Sequence, residues 1–196
     1  MDRNVTRKSG ILLHPTALPG PYGIGEIGPH AYRFIDHLSD MGQGLWQILP
    51  IGPTDFHNSP YSSISTFAGN HLLISLDILA EDGLLDSDCL NSCKKFKTEQ
   101  VLFADVINFK LPILKEISRN FNIYASEEMK IAFEKFCENN SYWLNDYSRY
   151  WALKEENDQK SWIDWTSKTV QNTEYVREAK VIKFLFHDQW HRLHEY

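Results

Sequence analysis

The sequence predicts an α/β fold, and three observations carry that prediction. Two short apolar runs, GILLHPTAL (10–18) and GLWQILPIG (44–52), flank a segment of helical periodicity. A third run, HLLISLDIL (71–79), is long enough for another buried strand. From about residue 99 onward the pattern turns helical. Two parallel strands joined by a helix share one sheet through a right-handed crossover, and their loops gather chemistry at the carboxyl ends of the strands.

The connecting helix is predicted within PHAYRFIDHLSDMG, where Ala31, Phe34, Ile35 and Leu38 fall at i, i+3, i+4 and i+7. Pro29 suits its first position and Gly42 its stop. In the second half, Val106, Phe109, Ile113 and Ile117 mark one helix. Met129, Ala132, Phe133, Phe136 and Cys137 mark the next, behind Ser126 as N-cap. Further helices are expected at 141–156 and 173–196; the last carries Val176, Ala179, Lys183, Phe186, Trp190 and Leu193 on one face. Five of the six tryptophans follow residue 140, where core packing accounts for most of the rings. The stretches 86–98 and 157–162 are polar linkers, and Trp46 is expected inside a buried strand.

Composition bounds the function. With 196 residues, 42% hydrophobic and 23% charged, the chain has apolar mass for one core and perhaps a second small lobe. A formal charge of −6 without a basic stripe argues against nucleic acid. The apolar runs are too short to span a bilayer, and MDRNVTRKSG lacks a signal-peptide centre, so no membrane association and a cytoplasmic location are expected. Cys89, Cys93 and Cys137 form no even-numbered framework, and the C-x3-C pair has no second pair to complete a zinc site. Reduced structural thiols and no metal are expected.

Four patterns bear on chemistry. Gly23-Ile-Gly25-Glu-Ile-Gly28 is a formal G-x-G-x-x-G, the mark of a dinucleotide-binding oxidoreductase. Pro19 to Tyr22 separate it from the strand, and Glu26 would meet a pyrophosphate, so a loop shaping a pocket rim is preferred. A rise in melting temperature with NAD would favour the nucleotide alternative. His187, His191 and His194 share a helix face but lack the H-E-x-x-H glutamate, which favours a solvated face over a metal. Glu26 and Asp55, on loops after two predicted strands, stand where paired catalytic carboxylates would lie, although solvated loop carboxylates are the plainer reading. Finally, HNSPYSSISTFAGNH (57–71) mixes hydroxyls with aromatic rings, which suits a hydroxylated ligand gripped by a flat ring and read at its edges by fixed polar groups.

The blocks GILLHPTALPGPYGIGEIG, LWQILPIGPT, NSPYSSISTFAGN, YWLNDYSRYWALKE and FLFHDQWHRLHEY, in this order, resemble the N-terminal part of the 4-α-glucanotransferases (amylomaltases) from about residue 8 to the last residue. The resemblance implies an incomplete (β/α)8 barrel, its first strands at 10–18 and 44–52, with a largely helical inserted subdomain. Residues 1–85 would be the start of the barrel, 86–175 the insertion, and 176–196 a helix leading back toward the remainder. The implied reaction transfers α-1,4-glucan segments between malto-oligosaccharides, with retention, through two carboxyl groups roughly 5–5.5 Å apart. No cofactor is implied.

On that resemblance, Tyr61 matches a tyrosine that stacks on sugar and Ser59 a neighbouring polar contact. Phe56 stands where some members have a tyrosine in an outer glucan site. Ala17 replaces a usual serine, and His71 a proline. The family's catalytic carboxylates lie on later strands, so none is assigned in this chain. Three strand-like runs cannot close a barrel of eight. The isolated chain is therefore expected to lack transferase activity, and to self-associate through uncovered strands. A glucan-binding or degenerate fragment without catalysis is the alternative.

Overall fold

The computed structural model describes residues 7–91, 96–97 and 99–196. Strand β1 (Gly10–Leu12) pairs in parallel with β2 (Leu45–Gln47), Ile11 opposite Trp46, and helix α1 (Pro29–Asp40) connects them. Pro29 opens α1, and the chain leaves it through Gly42, whose φ of 68° favours a residue without Cβ. There follow α2 (Leu76–Glu81), α3 (Asp88–Asn91), α4 (Phe103–Tyr124), α5 (Glu127–Asn139), α6 (Ser141–Glu156) and α7 (Thr173–Glu195). The second half is thus helical as expected, and the Ser126 hydroxyl caps α5 by accepting from Met129 N.

Two expectations are corrected. The run 71–79 is not a strand: it forms a 3₁₀ turn (His71–Leu73) and then α2. Side chains at both starts decide this, Asn70 accepting from Leu72 N (3.0 Å) and Ser75 from Ile78 N (3.5 Å). An apolar run of that length fits a buried helix as well as a strand, and the caps break the tie. The strands are also short and exposed, with Ile11 40%, Leu12 56% and Leu45 53% accessible. Among the described residues, no third strand joins the pair.

Trp46 accordingly is only half-buried. Its Nε1 donates to Leu13 O (2.7 Å) and its ring meets Phe34 edge-on at 4.9 Å. Trp46→Ala should cost about 2 kcal/mol, roughly half the loss for a fully buried tryptophan. Urea unfolding measures it.

α7 is the central element. Its expected face is buried at Ala179, Lys183, Phe186 and Leu193, but burial also takes in Val181, Ile182, Phe184 and Leu185, because α4, α5, α6 and the 71–73 turn all pack on it. One core cluster joins Ile27, Ala31, Leu73 and Leu79 from the first half to Leu114, Phe121, Phe133, Ile182 and Phe186 from the second. Gln189 on α7 clamps the start of α2, its amide donating to Ser75 O (3.0 Å) and accepting from Ser75 N (2.7 Å).

Among the described residues, no helix is long and apolar enough to cross a membrane, and no three His, Cys, Asp or Glu side chains are grouped to hold a metal. His187 departs from the solvated face expected for the histidine trio: it is half-buried between Phe136 (5.2 Å), Trp143 (5.7 Å) and Phe186 (5.5 Å), while His191 and His194 are exposed. Cys89 is exposed and Cys137 half-buried; Cys93 lies outside the described residues.

Candidate functional site

The carboxyl ends of β1 and β2 lead into two loops that meet. After β1, His14 Nδ1 lies 2.8 Å from Thr16 Oγ1, and His14 Nε2 reaches Pro50 O at 3.3 Å on the loop after β2. Burial lowers the His14 pKa against a smaller opposing pull from the Pro50 carbonyl. Between the loops lies a cavity of about 160 Å³ lined by His14, Thr16, Pro50, Asn58, Asn70 and Phe103, among others. Enclosing a drug-sized ligand takes about 300–1,000 Å³, so this hollow alone is too small to enclose one. The sequence does not single out His14, Thr16, Asn70 or Phe103; the first two fall inside the predicted strand 10–18, whereas β1 ends at Leu12 and leaves them on the loop after it.

The loop after β2 folds back as a narrow hairpin. Thr54 and Ser63 form an antiparallel bridge, Ile64 N donates to Pro53 O (3.0 Å) and Asp55 N to Ser62 O (3.0 Å). At its tip Asn58 takes a φ of 56°, a left-handed turn that asparagine tolerates. The Asp55 carboxylate accepts from His57 N (2.9 Å), and the Ser59 hydroxyl accepts from Tyr61 N (3.3 Å). Three sequence-singled residues come together here: Phe56 (85% accessible, its ring 3.8 Å from that of His57), Ser59 and Tyr61 (75% accessible). Two bare rings on a braced tip are costly in water, and they suit a surface that takes a partner's apolar face.

The other two candidate patterns do not form sites. Glu26 is buried, not solvated: it pairs with Lys110 of α4, whose ammonium also donates to Leu72 O (2.7 Å) and Ile74 O (2.6 Å). Burial pushes the carboxyl up and the amine down, each toward its neutral form, and each partner's charge pulls back. Glu26 is therefore a core tie, and it does not share a cleft with Asp55 at the hairpin tip. In the glycine loop, Gly25 N donates to Thr16 O (3.2 Å) and Ile27 N to Leu73 O (2.8 Å), so these amides brace the loop and are not offered to a phosphate. A Cβ on Gly25 would sit 2.0 Å from Pro15 O, so close packing accounts for that glycine.

A family model described as 4-alpha-glucanotransferase matches residues 13–196. The 4-alpha-glucanotransferase of Synechocystis sp. is 43% identical over 81% of this chain and 32% of its own length. That of Aquifex aeolicus is 37% identical over 97% of this chain and 40% of its own. The fold is similar to amylomaltase from Streptococcus agalactiae in complex with acarbose, at a TM-score of 0.89 and 32% identity, over 97% of this chain and 41% of that one. Amylomaltase from Corynebacterium glutamicum, 16% identical, shares the fold at a TM-score of 0.72. The chain thus spans about a third to two-fifths of the length of the curated relatives it matches.

Proposed function

The chain belongs to the 4-alpha-glucanotransferase family, and from that premise we propose that it supplies a sugar-holding face for transfer of α-1,4-glucan segments between malto-oligosaccharides. The observation that carries this reading is the braced hairpin tip, which holds Tyr61, Ser59 and Phe56 beside the hollow at the strand ends. A flat phenol ring covers the apolar face of a glucose unit, and hydroxyls beside it read its rim. Transfer exceeds hydrolysis only when the acceptor sugar is held well and water poorly, and holding is what this face is built for.

In this reading the retaining reaction takes its nucleophile and its acid/base carboxyl from chain outside these residues. Glu26 is spent on Lys110 and Asp55 on its own hairpin, so neither serves. The two exposed parallel strands are the opening of a (β/α)8 barrel, residues 1–85, with 86–175 as its helical insertion. Their bare leucines and isoleucine await further strands, and self-association through them is the expected behaviour of the chain alone. Malto-oligosaccharide, rather than nucleic acid or membrane, is the partner, and the cytoplasm its place.

Tyr61→Ala, made in a protein carrying the whole barrel, should lower kcat/KM for maltotriose several-fold. One stacking contact is worth on the order of 1 kcal/mol, and abolition is not expected. An unchanged kcat/KM removes Tyr61 from the sugar face.

A further inference from the structure

The loop that carries the sugar-facing hairpin returns to the core through residues 67–71, and its floor is a cluster of nitrogen bases. Lys183 of α7 is fully buried, and its Nζ donates to Gly69 O at 2.8 Å. The amine lies 5.0 Å from the Tyr147 ring centre and 5.6 Å from that of Trp151. Among the described residues it makes no ion pair. His71, in the loop itself, packs edge-on against Trp151 at 5.5 Å, and its buried Nδ1 has no hydrogen-bond partner. His187, one turn beyond Lys183, lies beside the Phe67 backbone, with a buried, unpartnered Nε2.

We infer that Lys183, with His71 and His187, is a positioning group that holds the 67–71 loop, and through it the sugar-facing hairpin, in a proton-dependent way. This rests on the sugar-holding reading of the hairpin. The other charged and titratable groups around the floor do not neutralise it. On α6, the Tyr147 hydroxyl is held neutral by burial, and Lys154 adds positive charge toward His71. On α4, Lys110 is committed to Glu26, and Lys115 to Glu155 with Glu178 of α7 near it.

The direction follows from burial. Desolvation brings the Lys183 amine down to about 7 from an ordinary 10.5, so in the seated loop it is neutral above that pH. A lifted loop would let water reach the amine and restore its proton up to the ordinary value. Between pH 7 and 10.5 the lifted state therefore holds one more proton, and lifting becomes harder as pH rises, by at most about tenfold per unit. His71 and His187, both lowered by burial and by the nearby lysine charge, act in the same sense below the ordinary imidazole range.

Hydrogen exchange at Asn70 reads this, because its N–H donates to Ile51 O (2.8 Å) at the end of the loop. Protection of that amide, corrected for intrinsic exchange, should rise by about tenfold or more from pH 7 to 9. Lys183→Gln keeps a donor for Gly69 O and should remove the slope; Lys183→Arg, charged throughout, should give low protection with the same flat profile. A flat wild-type profile, or an undiminished slope in a folded variant, overturns the inference. So does an equal rise at Leu13, whose N–H bonds Gln47 O (3.0 Å), since Lys183 would then act on the whole fold. Maltoheptaose added at pH 9 should raise Asn70 protection further. If it does not while the slope is present, the loop floor stands and its service to sugar is overturned.

Discussion

Lys110→Met should lower the unfolding free energy by about 3–5 kcal/mol, the loss typical of breaking a buried ion pair from one side. In this chain it strands more than a charge. Lys110 spends its three N–H donors on Glu26, Leu72 O and Ile74 O, so methionine leaves a buried carboxyl and two carbonyls without their donor. The melting temperature should fall by roughly 6–20 °C for a chain of this size. Glu26→Gln in the same background should recover part of the loss, because the uncompensated carboxylate is then gone. Urea unfolding of the wild type, both single variants and the double variant closes the cycle. A loss under about 1 kcal/mol for Lys110→Met would mean that water reaches the pair.

The second large effect is expected at Gly69. Its backbone lies against Phe186 so closely that a Cβ would stand 1.9 Å from two carbons of the ring. Phe186 is buried in the central helix and cannot swing clear, so either the ring or the loop must move. Overpacking of this kind costs about 1–3 kcal/mol, and Gly69→Ala should reach the top of that range. It should also disturb the hairpin, since the Gly69 carbonyl is the acceptor for Lys183. Phe186→Leu opens room at the contact and should return part of the stability of Gly69→Ala. Thermal unfolding of the two single variants and the double variant measures this, and additive losses would contradict the steric account.

How far the fold was legible depended on the range of the interactions that make each part. Helices declared themselves through local signals, such as Pro29 at a helix start, Ser126 at a cap and apolar spacing along α4. The run 71–79 has the apolar content of a buried strand, but Asn70 and Ser75 cap helical turns at its two starts and decide the matter. Strand exposure was not legible in the apolar pattern of 10–18 and 44–52, since it depends on which chain lies against a strand.

The candidate site divided along the same line. Tyr61, Ser59 and Phe56 are assigned through the family resemblance, and the structure gathers them on one hairpin tip. For Glu26 the sequence favours a solvated loop carboxylate, because the partner that ties it into the core, Lys110, stands 84 residues away. In the sequence Lys183 is only a lysine within an apolar stripe. Its acceptor, Gly69 O, lies 114 residues away, a distance that no spacing rule spans.

On the proposed reading, this chain holds malto-oligosaccharide at the 54–70 hairpin and does not itself turn it over. Saturation-transfer difference NMR on maltotriose with the purified 196-residue chain reads both halves in one sample. The expected result is saturation of the sugar-ring protons, reduced in Tyr61→Ala, with the maltotriose signals constant over the incubation. No transfer to the sugar, or the appearance of glucose and longer maltodextrins, would contradict it.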